Sequence, residues 1–315
     1  MTAPMISIEG LSKSFKTDFW KKSVHALSEV TFDVREGQVF GLVGHNGAGK
    51  TTLIKTLIGL ISPTRGSVRM FDGPANSPSV KAKIGYLPEA AYYYEFLRAD
   101  EILRFYAGLF GLSGAAAERR IDEMLDLVGL SDRREIRLRY FSKGMLQRIG
   151  IAQALINDPS LVIMDEPMSG LDPIGRKDVR DIILEMRRRG KTIVFSSHIL
   201  SDIESLCDHV AILAKGKLQA VGPLSELVQP KTRSVEIVLQ GDVPREWESR
   251  FALTARRVGE QSVLELTQPE RLPEILAEVV ARRLPVASVV PHRETLEDLY
   301  VETAMGDARC APSSP

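Results

Sequence analysis

The sequence predicts an α/β fold built on a mostly parallel sheet. Short, continuous apolar runs alternate with helical patterns, a glycine-rich segment joins one such run to a helix, and a second run ends in paired carboxylates. The runs occupy residues 38–43, 83–87, 161–164 and 192–195. Apolar residues at every position, rather than every second one, mean that both faces of each strand are covered, which is the environment of a parallel sheet between helices. The segments at 7–10 and 30–34 instead alternate polar with apolar, which predicts an antiparallel layer beside that sheet. From Asp100 to Asn157 the apolar period is helical, as in Ile121, Met124, Leu125 and Val128, which predicts an inserted helical subdomain over about 90–157.

The character changes at 223–230. Apolar strands at 235–239, 263–266 and 286–290, a helix around Ile275, Leu276, Val279 and Val280, and a last helix starting near Thr295 predict a small α+β domain. The Thr295 hydroxyl can cap that helix, with Asp298 in its first turn. The expected organisation is a main domain over 5–225, an accessory domain over 226–305 and a disordered tail over 306–315, rich in Pro and Ser.

Composition removes several function classes. The 315 residues are 44% hydrophobic, with 41 acidic against 41 basic side chains, so no excess of positive charge calls for nucleic acid. Cys207 and Cys310 form no CxxC pair, which suggests neither a zinc site nor a disulfide framework and fits a reducing cytosol. The N-terminus lacks a basic region followed by an apolar run, and no apolar stretch approaches the ~20 residues of a membrane span. The chain is therefore expected in the cytoplasm, reaching a membrane only by docking to another polypeptide.

Two motifs carry chemistry. Gly44-His45-Asn46-Gly47-Ala48-Gly49-Lys50-Thr51-Thr52 follows a predicted strand and opens a predicted helix, in the pattern of a phosphate-binding loop. Its glycines let backbone N–H groups converge on a phosphate, Lys50 brings a positive charge to the β- and γ-phosphates, and Thr51 offers a hydroxyl to Mg2+. The fold class is thus a P-loop NTPase core. The run 161–164 ends in Asp165-Glu166, placing Asp165 on the metal side of the nucleotide and Glu166 where it can orient and deprotonate water.

With these two motifs the chain resembles the nucleotide-binding subunit of an ABC transporter over roughly residues 5–225. Tyr140-Phe141-Ser142-Lys143-Gly144-Met145-Leu146-Gln147-Arg148 is similar to the family signature, keeping Ser142 and Gly144 while Lys143 and Met145 depart from the usual form. The resemblance implies that Ser142 and the helix N-terminus meet the γ-phosphate of ATP held by a second copy. It makes Ser169-Gly170-Leu171-Asp172 the loop that bridges two active sites, and His198 the switch histidine. An aromatic upstream of the phosphate loop would stack on adenine: Phe15, with Phe19 and Trp20 as competitors. Where the family usually has glutamine, Pro88-Glu89 places a carboxylate, which adds negative charge near the metal and cannot donate when ionised.

What the resemblance implies is an ATP hydrolase with ATP and Mg2+ as ligands, closing as a homodimer and driving a separate integral-membrane permease subunit from the inner face of the cell membrane. Tyr92-Tyr93-Tyr94 either line the groove for that subunit or pack within the helical subdomain. The Pro-Glu loop, the Ser-Lys-Gly-Met signature and the C-terminal Leu296-Glu297-Asp298-Leu299-Tyr300 resemble the type-two exporters of drugs, lipids and polysaccharides. An importer ATPase is the alternative within the family. A soluble ABC ATPase acting on DNA or ribosomes is the alternative outside transport, and the paired cassettes, zinc motifs or long coiled coils of that class are absent from the sequence.

Overall fold

The computed structural model describes residues 4–15, 23–71, 73–228, 232–293 and 295–306. The expected tail from 307 onward, and Phe19 and Trp20, lie outside the described residues. In chain order the elements are β1 (Ile6–Phe15), β2 (Val24–Val34), β3 (Val39–Val43), α1 (Lys50–Leu57), β4 (Arg65–Met70), β5 (Gly73–Pro74), α2 (Pro78–Lys81), β6 (Ile84–Leu87), α3 (Ala99–Leu109), α4 (Gly114–Leu127) and α5 (Lys143–Leu155). They continue with β7 (Leu161–Met164), α6 (Pro173–Arg188), β8 (Thr192–Ser197), α7 (Leu200–Leu206), β9 (His209–Ala214), β10 (Lys217–Pro223) and α8 (Leu224–Leu227). Then follow β11 (Thr232–Gln240), α9 (Glu246–Phe251), β12 (Leu253–Val258), β13 (Gln261–Leu266), α10 (Leu272–Ala281), β14 (Val286–Arg293) and α11 (Leu296–Gly306). Two compact units divide between Leu224 and Ser225, the second running to Glu302.

The first unit holds a six-stranded sheet of order β10-β9-β3-β8-β7-β6, parallel from β9 through β6, with β10 antiparallel at one edge. Every residue of β3, β7 and β8 is buried, the two-faced covering that the unbroken apolar runs require. Beside it lies the antiparallel sheet β2-β1-β4-β5. Ile6, Ile8 and Leu11 of β1 share one core with Phe40, Leu42, Leu53, Ile54 and Leu57, which fixes the loop between β3 and α1 against both sheets.

The helical segment is less continuous than its apolar period predicts. Between α4 and α5 the chain makes only two single turns, at Ser131–Arg133 and Leu138–Tyr140. Gly129, at φ +63°, leaves the helical region just after α4 and ends it. Helix α5 is then pressed onto β6: a Cβ on Gly85 would stand 2.1 Å from the Ala154 carbonyl oxygen, so only glycine admits this approach. Helix α5 is thereby held against the strand that leads to Glu89.

The second unit is a four-stranded antiparallel sheet of order β12-β13-β11-β14. Val235, Ile237 and Leu239 alternate inward from β11 and meet Leu264, Leu266, Trp247, Phe251, Ile275 and Val279. Both α9 and β12 escape the sequence reading. The first is only six residues long, and the second, Leu-Thr-Ala-Arg-Arg-Val, is an edge strand whose charges shield an unpaired edge. Ile237 is fully buried on β11, one of the two inner strands. Ile237→Val is expected to lower the stability of the protein by about 0.5–1.5 kcal/mol, read as a shifted midpoint in urea unfolding followed by Trp247 fluorescence. A midpoint equal to that of the parent chain contradicts the burial described.

Candidate functional site

Strand β3 ends at Val43 and α1 begins at Lys50, so Gly44 to Gly49 form the turn between them. Gly49 has φ +107°, and a Cβ there would stand 2.7 Å from the Ala26 carbonyl oxygen of β2. The loop is thus tight because its backbone lies directly on the antiparallel layer. Ala48 is fully buried with its side chain against Gly44, leaving only its backbone to the loop. A cavity of about 350 Å³ opens here, lined by His45, Asn46, Gly47, Gly49, Lys50, Thr51, Thr52, Glu89 and Glu166 on one side and Val24, His25 and Ala26 on the other.

Lys50 is 5% exposed, and its ammonium donates to the Gly44 carbonyl oxygen at 2.5 Å. It also lies 3.1 Å from Glu166 Oε1, an ion pair without hydrogen-bond alignment. The other Glu166 oxygen is 2.7 Å from His198 Nδ1. Glu166 itself sits at φ +49°, in a region that a side chain of its size seldom adopts. Its N–H donates to Ser196 Oγ at 2.8 Å, and Ser196 donates in turn to Asp165 Oδ1 at 2.7 Å. The end of β8 therefore aims both carboxylates at the end of β7. A strained backbone held by several contacts is common where a side chain must be pointed at a reacting centre.

Asp165 is 1% exposed and does not itself line the cavity. The Tyr86 phenol feels both carboxylates: it is pushed up to about 12, first by burial, then by the negative charges of Asp165 and Glu89. Thr51, Asp165 and Glu89 offer only oxygen donors, which suits a hard cation such as Mg2+. Among the described residues no group of three acidic, histidine or cysteine side chains forms a closed cage. Mg2+ is usually held by one or two carboxylates together with substrate phosphates, and this donor set fits that mode.

Ser142 and Gly144 belong elsewhere. Ser142 caps α5, its hydroxyl accepting from Met145 N–H at 3.3 Å, and is exposed. With Lys143, Gly144, Met145 and Arg148 it lines a second cavity of about 350 Å³, closed by Gly170, Leu171, Asp172, Ile174, Gly175 and Asp178. The Lys143 ammonium rests directly on Gly170. The two cavities have no lining residue in common. Of the predicted residues, the structure brings Glu89 and Glu166 to the phosphate loop, joins His198 to Glu166 outside the cavity lining, and sets Ser142 and Gly144 on a separate surface.

Phe15 does not line the first cavity; its cross-strand partner Val24 does. One ring face of Phe15 is covered by the Lys13 ammonium at 5.1 Å. His25 lines the cavity unforeseen, its Nδ1 bound to Ser14 Oγ at 2.9 Å. Nothing local marked it, because its position follows from β2 crossing behind a loop remote in sequence. Ser196 is a further residue that the sequence reading leaves out, although a hydroxyl two residues before His198, at the end of a buried strand, is a usable signal.

Known proteins share this sequence and fold. The ABC transporter family model, described as "ABC transporter", matches residues 27–169. An uncharacterized ABC transporter ATP-binding protein of Synechocystis sp. is 48% identical over 73% of this chain and 66% of its own length, so the chain spans just under two thirds of that relative. The bacitracin transport ATP-binding protein BcrA of Bacillus licheniformis is 35% identical over 90% of this chain and 94% of its own. A solved "ATP binding subunit of ABC transporter" superposes with a TM-score of 0.63 at 36% identity, covering 71% of this chain and 91% of that one. With a relative matched over nearly its whole length, and a glycine-rich loop whose Lys50 meets Glu166, the chain belongs to the ABC transporter ATP-binding family.

Proposed function

We propose that the chain hydrolyses ATP as a homodimer and drives a separate integral-membrane permease subunit, most simply an exporter. The observation that supports this best is the division of the site. One cavity carries the phosphate loop and Glu166, the other carries Ser142, and no residue lines both. Two copies related by a two-fold axis would each place the signature of one over the phosphate loop of the other, an isologous arrangement.

In this reading the Gly44–Gly49 backbone and Lys50 bind the triphosphate, while Ser142 and the first turn of α5 complete its coordination from the second copy. Glu166 orients the attacking water and takes its proton, and His198 fixes the orientation of that carboxylate. Thr51, Asp165 and Glu89 would hold Mg2+, which supplies charge neutralisation at the phosphates. Phe15, the cross-strand partner of the cavity residue Val24, is the proposed adenine contact.

Exposed aromatics on the helical segment support the membrane partner. Tyr92 is 94% exposed, and Tyr94, Phe96, Phe105 and Phe110 are also exposed. Apolar rings in water at this density mark a docking surface. Tyr93 differs: it turns inward against Gly150 of α5, so the three tyrosines divide between surface and packing. Backbone bonds stitch this segment to the residues ahead of the signature, with Leu138 N–H donating to Leu97 O at 2.9 Å and Arg139 N–H to Glu95 O at 3.0 Å. A partner seated on the aromatics would thus pull on Glu89 and on Ser142 together. The export reading draws on BcrA, a bacitracin transport protein by name, with its near full-length match. Among the described residues no helix is long and apolar enough to cross a membrane, which leaves translocation to the partner.

The test measures ATP hydrolysis by the full chain with and without the membrane subunit in lipid vesicles. Glu89→Gln should keep basal hydrolysis within about tenfold, roughly 1.4 kcal/mol of barrier. Glu89→Ala should lose the stimulation by the membrane subunit while still hydrolysing. If Glu89→Ala stays fully stimulated, Glu89 is a solvated loop carboxylate with no part in coupling. Specific activity that does not rise with protein concentration argues against the dimer.

A further inference from the structure

Asp202 is wholly buried, yet it lines neither cavity. It lies in the first turn of α7 and receives Arg176 of α6 on both carboxylate oxygens, each at 2.8 Å, with Arg180 one turn further at 3.4 Å. A paired carboxylate in this setting adds little net stability, because desolvating the charges offsets most of their attraction. What one guanidinium nitrogen, Arg176 Nη2, shared between both oxygens does supply is a charge-assisted tie between two helices.

The two helices start at opposite sides of the chemistry. Helix α6 opens on Asp172, which caps it by accepting from Gly175 N–H at 2.7 Å, and the residues just before are Gly170 and Leu171 of the second cavity. Helix α7 opens two residues after His198, whose ring holds Glu166. The turn between is itself pinned, with Ile199 N–H donating to Ser197 Oγ at 2.9 Å. A displacement of the 169–172 loop therefore reaches His198 through α6, the ion pair and the first turn of α7.

We propose that Arg176 and Asp202 are positioning residues that link contact at the second cavity to the placement of His198 and Glu166. The proposal rests on the homodimeric ATPase reading above. It gives the switch histidine a mechanical input from the surface that meets the second copy.

Asp202→Asn keeps the shape and removes the charge, while Arg176→Lys keeps the charge on a differently shaped, compact head group. For Asp202→Asn, kcat should fall by about tenfold or more while KM for ATP stays within about twofold. The Hill coefficient for ATP should drop towards one. Arg176→Lys, on a partly exposed side chain, should fold normally and show a smaller loss in kcat with the same loss of cooperativity. A lowered melting temperature with unchanged kcat and Hill coefficient means a purely structural pair and overturns the proposal. So does parent-like kinetics in both variants. A parent chain that hydrolyses no ATP overturns the underlying reading, and that outcome is distinct because it appears before any variant is made.

Discussion

Glu166→Gln is expected to bind ATP and fail to turn it over. Loss of a general base costs about 10²- to 10⁴-fold, and the amide keeps the volume of the side chain that occupies φ +49°. The bound, unhydrolysed nucleotide should hold two copies together, so gel filtration with ATP and Mg2+ should give a dimer peak that the parent chain lacks. Lys50→Ala separates binding from chemistry. Its ammonium is worth about 1.5–3 kcal/mol as a charged donor, so nucleotide affinity should weaken roughly ten- to hundredfold, read by titration with a fluorescent ATP analogue. Hydrolysis near the parent rate in Glu166→Gln removes that residue from the role of base, whatever Lys50→Ala does.

Mixing two dead proteins should restore activity. Ser142→Arg blocks the second cavity, and Lys50→Ala disables the first, so each homodimer has two damaged sites. A mixed dimer has one site with both halves intact and one with both halves lost. With random pairing, about a quarter of the parent sites are rebuilt under two-fold symmetry. ATP hydrolysis should rise with the product of the two concentrations and peak at an equal mixture. Activity that is simply the sum of the two separate proteins means that Ser142 does not act across a dimer.

Much of this architecture could be read from residue pattern alone, and the reasons are local. The strands at 161–164 and 192–195 are unbroken apolar runs because their neighbours are helices above and below, so environment and pattern coincide. The phosphate loop is legible because its glycines and lysine act through their own backbone and charge. What stayed hidden depends on partners distant in the chain. His25 reaches the cavity only because β2 crosses behind the loop, and β12 is an edge strand whose arginines and exposed valine carry no strand period. Ser142 was legible only through the family resemblance, since a serine at a helix start is ordinarily just a cap. Asp202 gave no sign at all, because a buried carboxylate looks like a surface one until its two arginines, 22 and 26 residues away, are placed beside it.

The contact between Lys50 and Glu166 has a consequence for idle turnover. The loop lysine and the carboxylate meet in a nearly dry setting. An incoming triphosphate competes for the same ammonium, with more negative charge than a single carboxylate can offer. In the proposed reading its arrival would draw the ammonium off Glu166 and leave that carboxylate to water. The pair would then act as an interlock, with the proposed base tied to the lysine until a triphosphate takes that lysine over.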